Sequence, residues 1–190
     1  AGGEVARDSS DKGNNGKIAG GPKSTPGKMG IALEFDGVDD HVLVAHQASL
    51  NMYPMTASVW VRTTSRHSGH TAVINKYKSG SHNGWQIHVL QETVRAWYIK
   101  DRNNHTFDSP DRIGGGRISD GVWHHVAFVV DESGARLYLD GAQIASRQWT
   151  GRPGAPATTE DLNLGRYPGK KGGDAFFQGS IDDVRLYSRA

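Results

Sequence analysis

Asp120-Gly-Val-Trp-His-His-Val-Ala-Phe-Val-Val-Asp-Glu-Ser-Gly-Ala-Arg-Leu-Tyr-Leu-Asp-Gly141 holds two β-strands and the turns that close them. Trp123, Val126, Phe128 and Val130 put apolar side chains on both faces of one run, as a central strand of a layered sheet requires. Asp131-Glu-Ser-Gly134 turns the chain into a second run, Arg136 to Leu139. Asp140-Gly141 is the two-residue type that closes a hairpin, because both residues tolerate positive φ. Gln143 to Arg147 follows as a third strand of this meander.

The same grammar extends in both directions. Short apolar or alternating runs are predicted as strands at Gly3 to Arg7, Ile31 to Asp36, His41 to Ala45, Thr56 to Arg62, Thr71 to Lys76, Gly84 to Leu90, Thr93 to Lys100, Leu162 to Gly165 and Phe176 to Tyr187. Gln91-Glu92 is a short link between two strongly β runs. Helical periodicity is nearly absent, and 25 glycines suit a fold with many tight turns. The expectation is a two-sheet antiparallel β-sandwich, all-β, with Phe35, Val42, Val44, Val59, Val61, Leu137, Leu139, Ile181, Val184 and Leu186 in its core. Residues 8–30 are rich in breakers and read as an arm, with Lys17-Ile-Ala19 as a short edge strand at most. Arg102 to Asp120 and Thr150 to Asp161 read as long loops, which in compact domains are mostly functional or mobile.

A chain of 190 residues fits one domain, 1–190. Its net charge of +2 comes from 22 bases interspersed with 20 acids, which leaves no nucleic-acid footprint. With no Cys there is no disulfide framework and no thiol nucleophile. No run is long and apolar enough for a membrane span. The chain begins at Ala1 without a signal peptide and stops just after a strong strand, so it is expected to be a domain cut from a longer polypeptide, with that polypeptide's other domains among its partners.

Ala32-Leu-Glu-Phe-Asp-Gly-Val-Asp-Asp-His-Val-Leu-Val44, Thr56-Ala-Ser-Val-Trp-Val-Arg62, Asp120 to Ala127 with Arg136 to Gly141, and Gly179-Ser-Ile-Asp-Asp-Val-Arg-Leu-Tyr187 occur in the order seen in one family. They resemble the laminin-G-like, concanavalin A-like domains of bacterial multidomain secreted proteins. The resemblance implies a jelly-roll sandwich, a secreted or cell-surface location, and binding of glycans or proteins, with some members acting as glycan lyases or hydrolases.

Three candidate sites follow. Asp8, Ser10, Asp11 and Asn14 place oxygen ligands in a Gly-rich loop, the kind of donor set Ca²⁺ takes. In the resemblance this loop lies near the closing strand, where Asp182 and Asp183 would complete a structural calcium site; the alternative is plain turn chemistry. A sugar-binding face is expected from strand alternation. Gln86 and His88 share a face, as do Arg95 and Trp97, and as do Trp60 and Arg62. If these sets meet on one concave sheet they combine amide, imidazole, guanidinium and indole, the mixture a sugar needs. Trp60 alone is read as core. A third set lies in loops: Lys76-Tyr77-Lys78, Asn103-Asn-His105, Trp149 and Arg166-Tyr167-Pro-Gly-Lys170-Lys171. Here Trp149 and Tyr167 are read as stacking platforms, and the bases point to an acidic or sulfated polysaccharide. An ordinary solvated rim is the alternative.

Enzyme readings fare worse. Gln86-Ile-His88 resembles the Gln-Ile-His motif of jelly-roll alginate lyases, which would make His88 and Tyr98 the base and acid, but the Arg-rich strand motif of those lyases is missing. Paired glycosidase carboxylates, a Gly-x-Ser-x-Gly elbow and a phosphate loop are all absent. His124 and His125 point to opposite faces and cannot share a zinc. The expectation is a non-catalytic carbohydrate-binding module; the alternatives are an adhesion domain on the same fold and, last, a uronate lyase.

Overall fold

The computed structural model describes residues 5–106, 113–169 and 173–190. The first half of the chain forms β1 (Val5–Ala6), β2 (Gly16–Ala19), β3 (Lys23–Pro26), β4 (Ile31–Asp36), β5 (His41–Val44), β6 (Met55–Arg62), β7 (His67–Tyr77), β8 (Gly84–Gln91) and β9 (Thr93–Asp101). The second half forms β10 (Asn104–His105), β11 (Ile113–Arg117), β12 (His124–Asp131), β13 (Gly134–Leu139), β14 (Ala142–Arg147), β15 (Leu162–Leu164), β16 (Arg166–Tyr167), β17 (Ala175–Phe176) and β18 (Gln178–Tyr187). One 3₁₀ turn, Ala48–Leu50, is the only helical element among the described residues.

The strands build two antiparallel sheets. One has nine strands in the order β1-β2-β5-β15-β7-β8-β9-β10, with β11 also paired to β9. The other has seven, in the order β14-β13-β12-β6-β18-β4-β3. The last strand, β18, therefore lies in the middle of its sheet, between β6 and β4. The hairpin β16–β17 stands apart as a two-stranded piece. Phe35, Val59, Val61, Phe128 and Leu137 of the seven-stranded sheet meet Trp85, Ile87, Val89 and Tyr98 of the nine-stranded sheet in one buried cluster. Each such side chain stabilises the fold by roughly 1.5 to 3 kcal/mol, so the two inner faces hold the sandwich together.

The breaker-rich arm carries more structure than expected. Lys17 and Ile18 pair with Leu43 and Val42, and Lys23–Pro26 pairs with β4 as the edge of its sheet, where a proline is tolerated. Gly3 and Glu4 of the first expected strand lie outside the described residues. Within the expected 102–120 loop, β11 pairs with β9. Its Gly114 is needed there, because a Cβ would come within 2.5 Å of Arg95 Cγ. Asp140 and Gly141 both have positive φ, at 51° and 83°, as the hairpin reading requires.

Candidate functional site

The outer face of the nine-stranded sheet carries a row of polar side chains at matched positions. Asn163 stands opposite Asn75, Asn75 opposite Gln86, and Gln86 opposite Trp97. In the next row His88 stands opposite Arg95. On the other side Tyr77 and Ile99 both flank Gly84. The sheet register thus brings Gln86, His88, Arg95 and Trp97 together on one face, as alternation in the sequence suggests.

This face is covered. Asn75, Gln86 and His88 are fully buried, and Tyr77, Trp97 and Asn163 nearly so. Tyr167, carried by the β16–β17 hairpin, packs on Tyr77, Trp97 and Ile99 in a small second cluster. Its ring lies parallel to that of Tyr77 with centroids 6.4 Å apart. His70 joins them, with its centroid 4.8 Å from His88 and 5.5 Å from Trp97. A sequence cannot show this roof, because the hairpin reaches the face from about 80 residues downstream.

The carboxamides beneath are under-satisfied. Asn75 donates to the Tyr77 carbonyl at 2.7 Å and Asn163 to the Asp161 carbonyl at 3.1 Å. The Oδ1 atoms of both, and both polar atoms of the Gln86 amide, are buried without a hydrogen-bond partner. Each such group costs about 1 to 3 kcal/mol. Three neighbouring carboxamides with unused hydrogen-bonding capacity are therefore an expensive arrangement for packing alone, and one able to grip hydroxyl groups in pairs.

Other expectations are corrected. Lys76 belongs to β7, as the expected strand Thr71 to Lys76 has it, and not to the loop set; it stands opposite Trp85 with its stem in the sandwich interior. Its ammonium reaches the Glu160 carbonyl at 2.6 Å and His46 Nδ1 at 3.0 Å, and burial pushes its pKa down to about 8. Tyr77 is likewise a buried strand residue, while Lys78 alone of that trio is exposed. Trp149 is no platform: it packs edge-on against Tyr53 and Tyr98 and donates from Nε1 to the Asp131 carbonyl at 2.7 Å. Arg62 lies on the other sheet, stacked over Trp123 at 4.9 Å, so it cannot join Gln86 and His88. Trp60 is not core but faces outward beside His125, 5.1 Å away, with Lys28 over its ring. Arg166 is paired with Asp174, and Lys170 and Lys171 lie outside the described residues.

The calcium set does not assemble. Asp8 accepts from the Ser10 and Asn14 amides in the β1–β2 connection, at the edge of the nine-stranded sheet. Asp182 accepts from the Met29 amide, and Asp183 pairs with Arg185, both on the central β18 of the other sheet. Among the described residues the carboxylates that do gather are Asp36, Asp39 and Asp40, and neither Asp8, Asp11, Asp182 nor Asp183 belongs to that group. Asn14 offers its backbone amide to Asp8 as a turn residue. The donors chosen for a calcium ion thus do not fit one. The lyase pair fails for a similar reason. Tyr98 stands opposite Trp85 on the inner face, with its hydroxyl on the Met52 carbonyl, while His88 points outward.

With the geometry in place, comparison with known proteins becomes informative. The Laminin_G_3 family model, described as the concanavalin A-like lectin/glucanases superfamily, matches residues 36–190. The chain belongs to this superfamily. Among solved structures of the concanavalin A-like fold, the binding domain of Paraclostridial Mosquitocidal Protein 1 superposes with a TM-score of 0.74 at 18% identity, over 97% of this chain and 46% of that one. Domain 4 of a GH43 extracellular arabinanase from Geobacillus stearothermophilus, solved in complex with arabinotriose, gives 0.65 at 20% identity, over 90% and 81%. The binding domain of botulinum neurotoxin DC, solved with rat synaptotagmin II, gives 0.64 at 13% identity, over 93% and 44%. The concanavalin A-like unit described here thus spans less than half the length of the two toxin domains. No curated protein matches the sequence.

Proposed function

We propose that this chain is a non-catalytic carbohydrate-binding module whose sugar seat is the outer face of the nine-stranded sheet. The observation that carries this reading is the row Asn163, Asn75, Gln86 and Trp97: carboxamides with unused hydrogen-bonding capacity running up to an indole. Carboxamides bind vicinal hydroxyls with a donor and an acceptor at once, and an aromatic ring takes the C–H face of a sugar. Two neighbours support a glycan as the ligand class: the arabinanase domain holds arabinotriose, and another related structure bears on ganglioside-dependent cell entry of botulinum neurotoxin type C.

The seat favours a neutral polysaccharide over an acidic one. The row itself carries no charge, Arg166 is neutralised by Asp174, and Lys100 is turned to the Pro153 carbonyl. Arg95 at the rim, with Nε on the Thr93 hydroxyl, is the nearest cation to this row in the sheet register. Tyr167 occupies the ground a sugar would take, so the ligand enters as the β16–β17 hairpin gives way. The module acts as part of a longer exported polypeptide, and no described helix is long and apolar enough to cross a membrane.

The test is a microarray of neutral and acidic polysaccharides, followed by calorimetry on each hit. Binding to a neutral glycan, weakened at least tenfold in Gln86→Leu with an unchanged fold, is the expected result. No binding to any glycan, alongside capture of a protein ligand, sinks the reading in favour of an adhesion domain.

A further inference from the structure

The outer face of the seven-stranded sheet lies on the far side of the sandwich from the carboxamide row and carries a different chemistry. Trp60 points outward from β6, between His125 of β12 and Asp182 of β18. Two residues further along β6, Arg62 stands opposite Ser180 on one side and reaches Trp123, just ahead of β12, on the other. Near the start of β6, Thr56 stands opposite Tyr187. Trp60, Trp123, His125 and Tyr187 are half-buried, whereas Gln86 and His88 of the other face are wholly covered. This face meets solvent without a roof like the β16–β17 hairpin, which packs on the nine-stranded sheet.

Three of its rings each bear a cation. Lys28, from the turn between β3 and β4, holds Nζ 4.9 Å from the Trp60 ring centroid. The Arg62 guanidinium lies 4.9 Å from the Trp123 ring, and that of Arg189 lies 5.3 Å from Tyr187. In the sheet register the three pairs follow β6 from Thr56 to Arg62, a run of about 20 Å. Among the described residues the ion pairs of this face are Arg185 with Asp183 and Arg136 with Asp131, and Lys28, Arg62 and Arg189 belong to neither. Asp182 is covered and accepts from the Met29 amide at 2.7 Å. Glu34 lies two strands from Arg62, beyond Ser180, which is about 10 Å across the sheet. The face thus keeps a surplus of positive charge along one line.

The chemistry of the pairs selects the ligand. Ammonium, guanidinium and indole N–H groups only donate hydrogen bonds, so the partner must be rich in acceptors, and the surplus charge asks for anions. An aromatic ring beside each cation adds an apolar surface for the C–H side of a sugar ring. Repetition along a line suits a chain with an anion on each repeat better than a single small molecule. An acidic peptide is less well served: β6 is hydrogen-bonded to β12 on one side and to β18 on the other, so its backbone offers no edge for strand addition.

We infer that the outer face of the seven-stranded sheet is a second, independent binding surface, for an acidic polysaccharide whose carboxylate or sulfate groups meet Lys28, Arg62 and Arg189 while its sugar rings rest against Trp60, Trp123 and Tyr187. It does not rest on the sugar seat of the nine-stranded sheet. The two faces ask for opposite ligands, one neutral and one anionic, so a single module bridges two kinds of polymer.

The experiment is a tryptophan-fluorescence titration of the whole chain with polygalacturonate and with dextran sulfate. Neutral dextran, polyglutamate and single-stranded oligothymidylate are the controls. Each titration is run in Gln86→Leu as well, which removes the seat on the other sheet and keeps the two readings apart. The expected result is saturable binding of at least one acidic polysaccharide, equal in the parent and in Gln86→Leu, and lost toward about 1 M salt, where charges are screened beyond about 3 Å. Lys28→Gln and Arg62→Gln each weaken it roughly two- to fivefold, the weight of one exposed ion pair, and the double variant weakens it roughly tenfold. Trp123→Ala weakens it too, because charge alone does not make the site. Lys28 is exposed, so Lys28→Gln keeps the fold and carries the test if Trp123→Ala does not fold. The absence of binding to both acidic polysaccharides overturns the proposal, and so does full affinity in the Lys28→Gln, Arg62→Gln double variant. Equal or tighter binding of polyglutamate or of the oligonucleotide also overturns it, in favour of an acidic protein or a nucleic acid.

Discussion

Asn75 and Gln86 face each other across the β7–β8 ladder, both wholly buried, and neither uses the full hydrogen-bonding capacity of its amide. Stability alone would place apolar residues at such a pair. Their presence links a cost in folding to a capacity for recognition, and the two are separable by substitution.

Gln86→Leu keeps the side-chain volume and removes two unsatisfied polar atoms. Relief of about 1 to 3 kcal/mol is expected, seen as a melting temperature raised by roughly 2 to 10 °C for a chain of this size. Glycan affinity falls in the same variant. A lower melting temperature in differential scanning fluorimetry would count against unused capacity at this position.

Tyr167→Ala strips the ring that lies on Tyr77, Trp97 and Ile99. If sugar and roof compete for one place, the association rate for the bound glycan rises in stopped-flow measurements. A rate unchanged from the parent protein means that the ligand enters elsewhere.

His124 lies between two carboxylates, with Nδ1 2.7 Å from Asp140 and Nε2 3.0 Å from Asp120. Burial opposes its charge, but the hydrogen bonds to Asp140 and Asp120 outweigh burial and hold its pKa above the ordinary 6.5. The folded state therefore keeps this proton to higher pH than the unfolded chain. Its contribution to stability is complete below about pH 6.5 and is lost as pH rises through the raised value. Urea midpoints measured from pH 5.5 to 8.5 show this decline, and Asp140→Asn flattens it.

Lys76 gives the opposite slope at higher pH. The unfolded chain holds this proton to 10.5, whereas the folded protein releases it near 8. Between those values the unfolded state binds more protons, so stability rises with pH, by roughly 3 kcal/mol over the whole window. Lys76→Met lacks that rise. The difference between the two urea-midpoint curves from pH 8 to 10.5 isolates the lysine from other groups that titrate there.

Tyr98→Phe removes a buried hydroxyl that donates to the Met52 carbonyl at 2.7 Å. The loss is about 1 to 2 kcal/mol, or a melting temperature lower by roughly 2 to 8 °C. Glycan binding is untouched, because Tyr98 faces the interior.

Much of the outer face is legible in the sequence. Alternation separates Gln86 and His88 from Trp85 and Ile87, and the short Gln91-Glu92 link places Gln86 across from Trp97. What alternation cannot give is which sheet a strand joins, and so it groups Arg62 with residues on the opposite side of the sandwich. The charge of Lys76 suggests solvent, whereas its aliphatic stem spans the interior and only the tip meets polar partners. The Gly114-Gly-Gly116 run lies in the stretch expected as a loop, yet Gly114 pairs with Arg95 and the run forms a strand.

The central position of β18 sets the order of assembly. Until residues 178–187 have been synthesised, β4 and β6 have no neighbour to join them, and each presents an open edge to other nascent chains. Collapse of the seven-stranded layer must wait for this strand to emerge, and its most distant pairings close last. Folding of this domain is therefore expected to be slow and to finish only after its last strand is available.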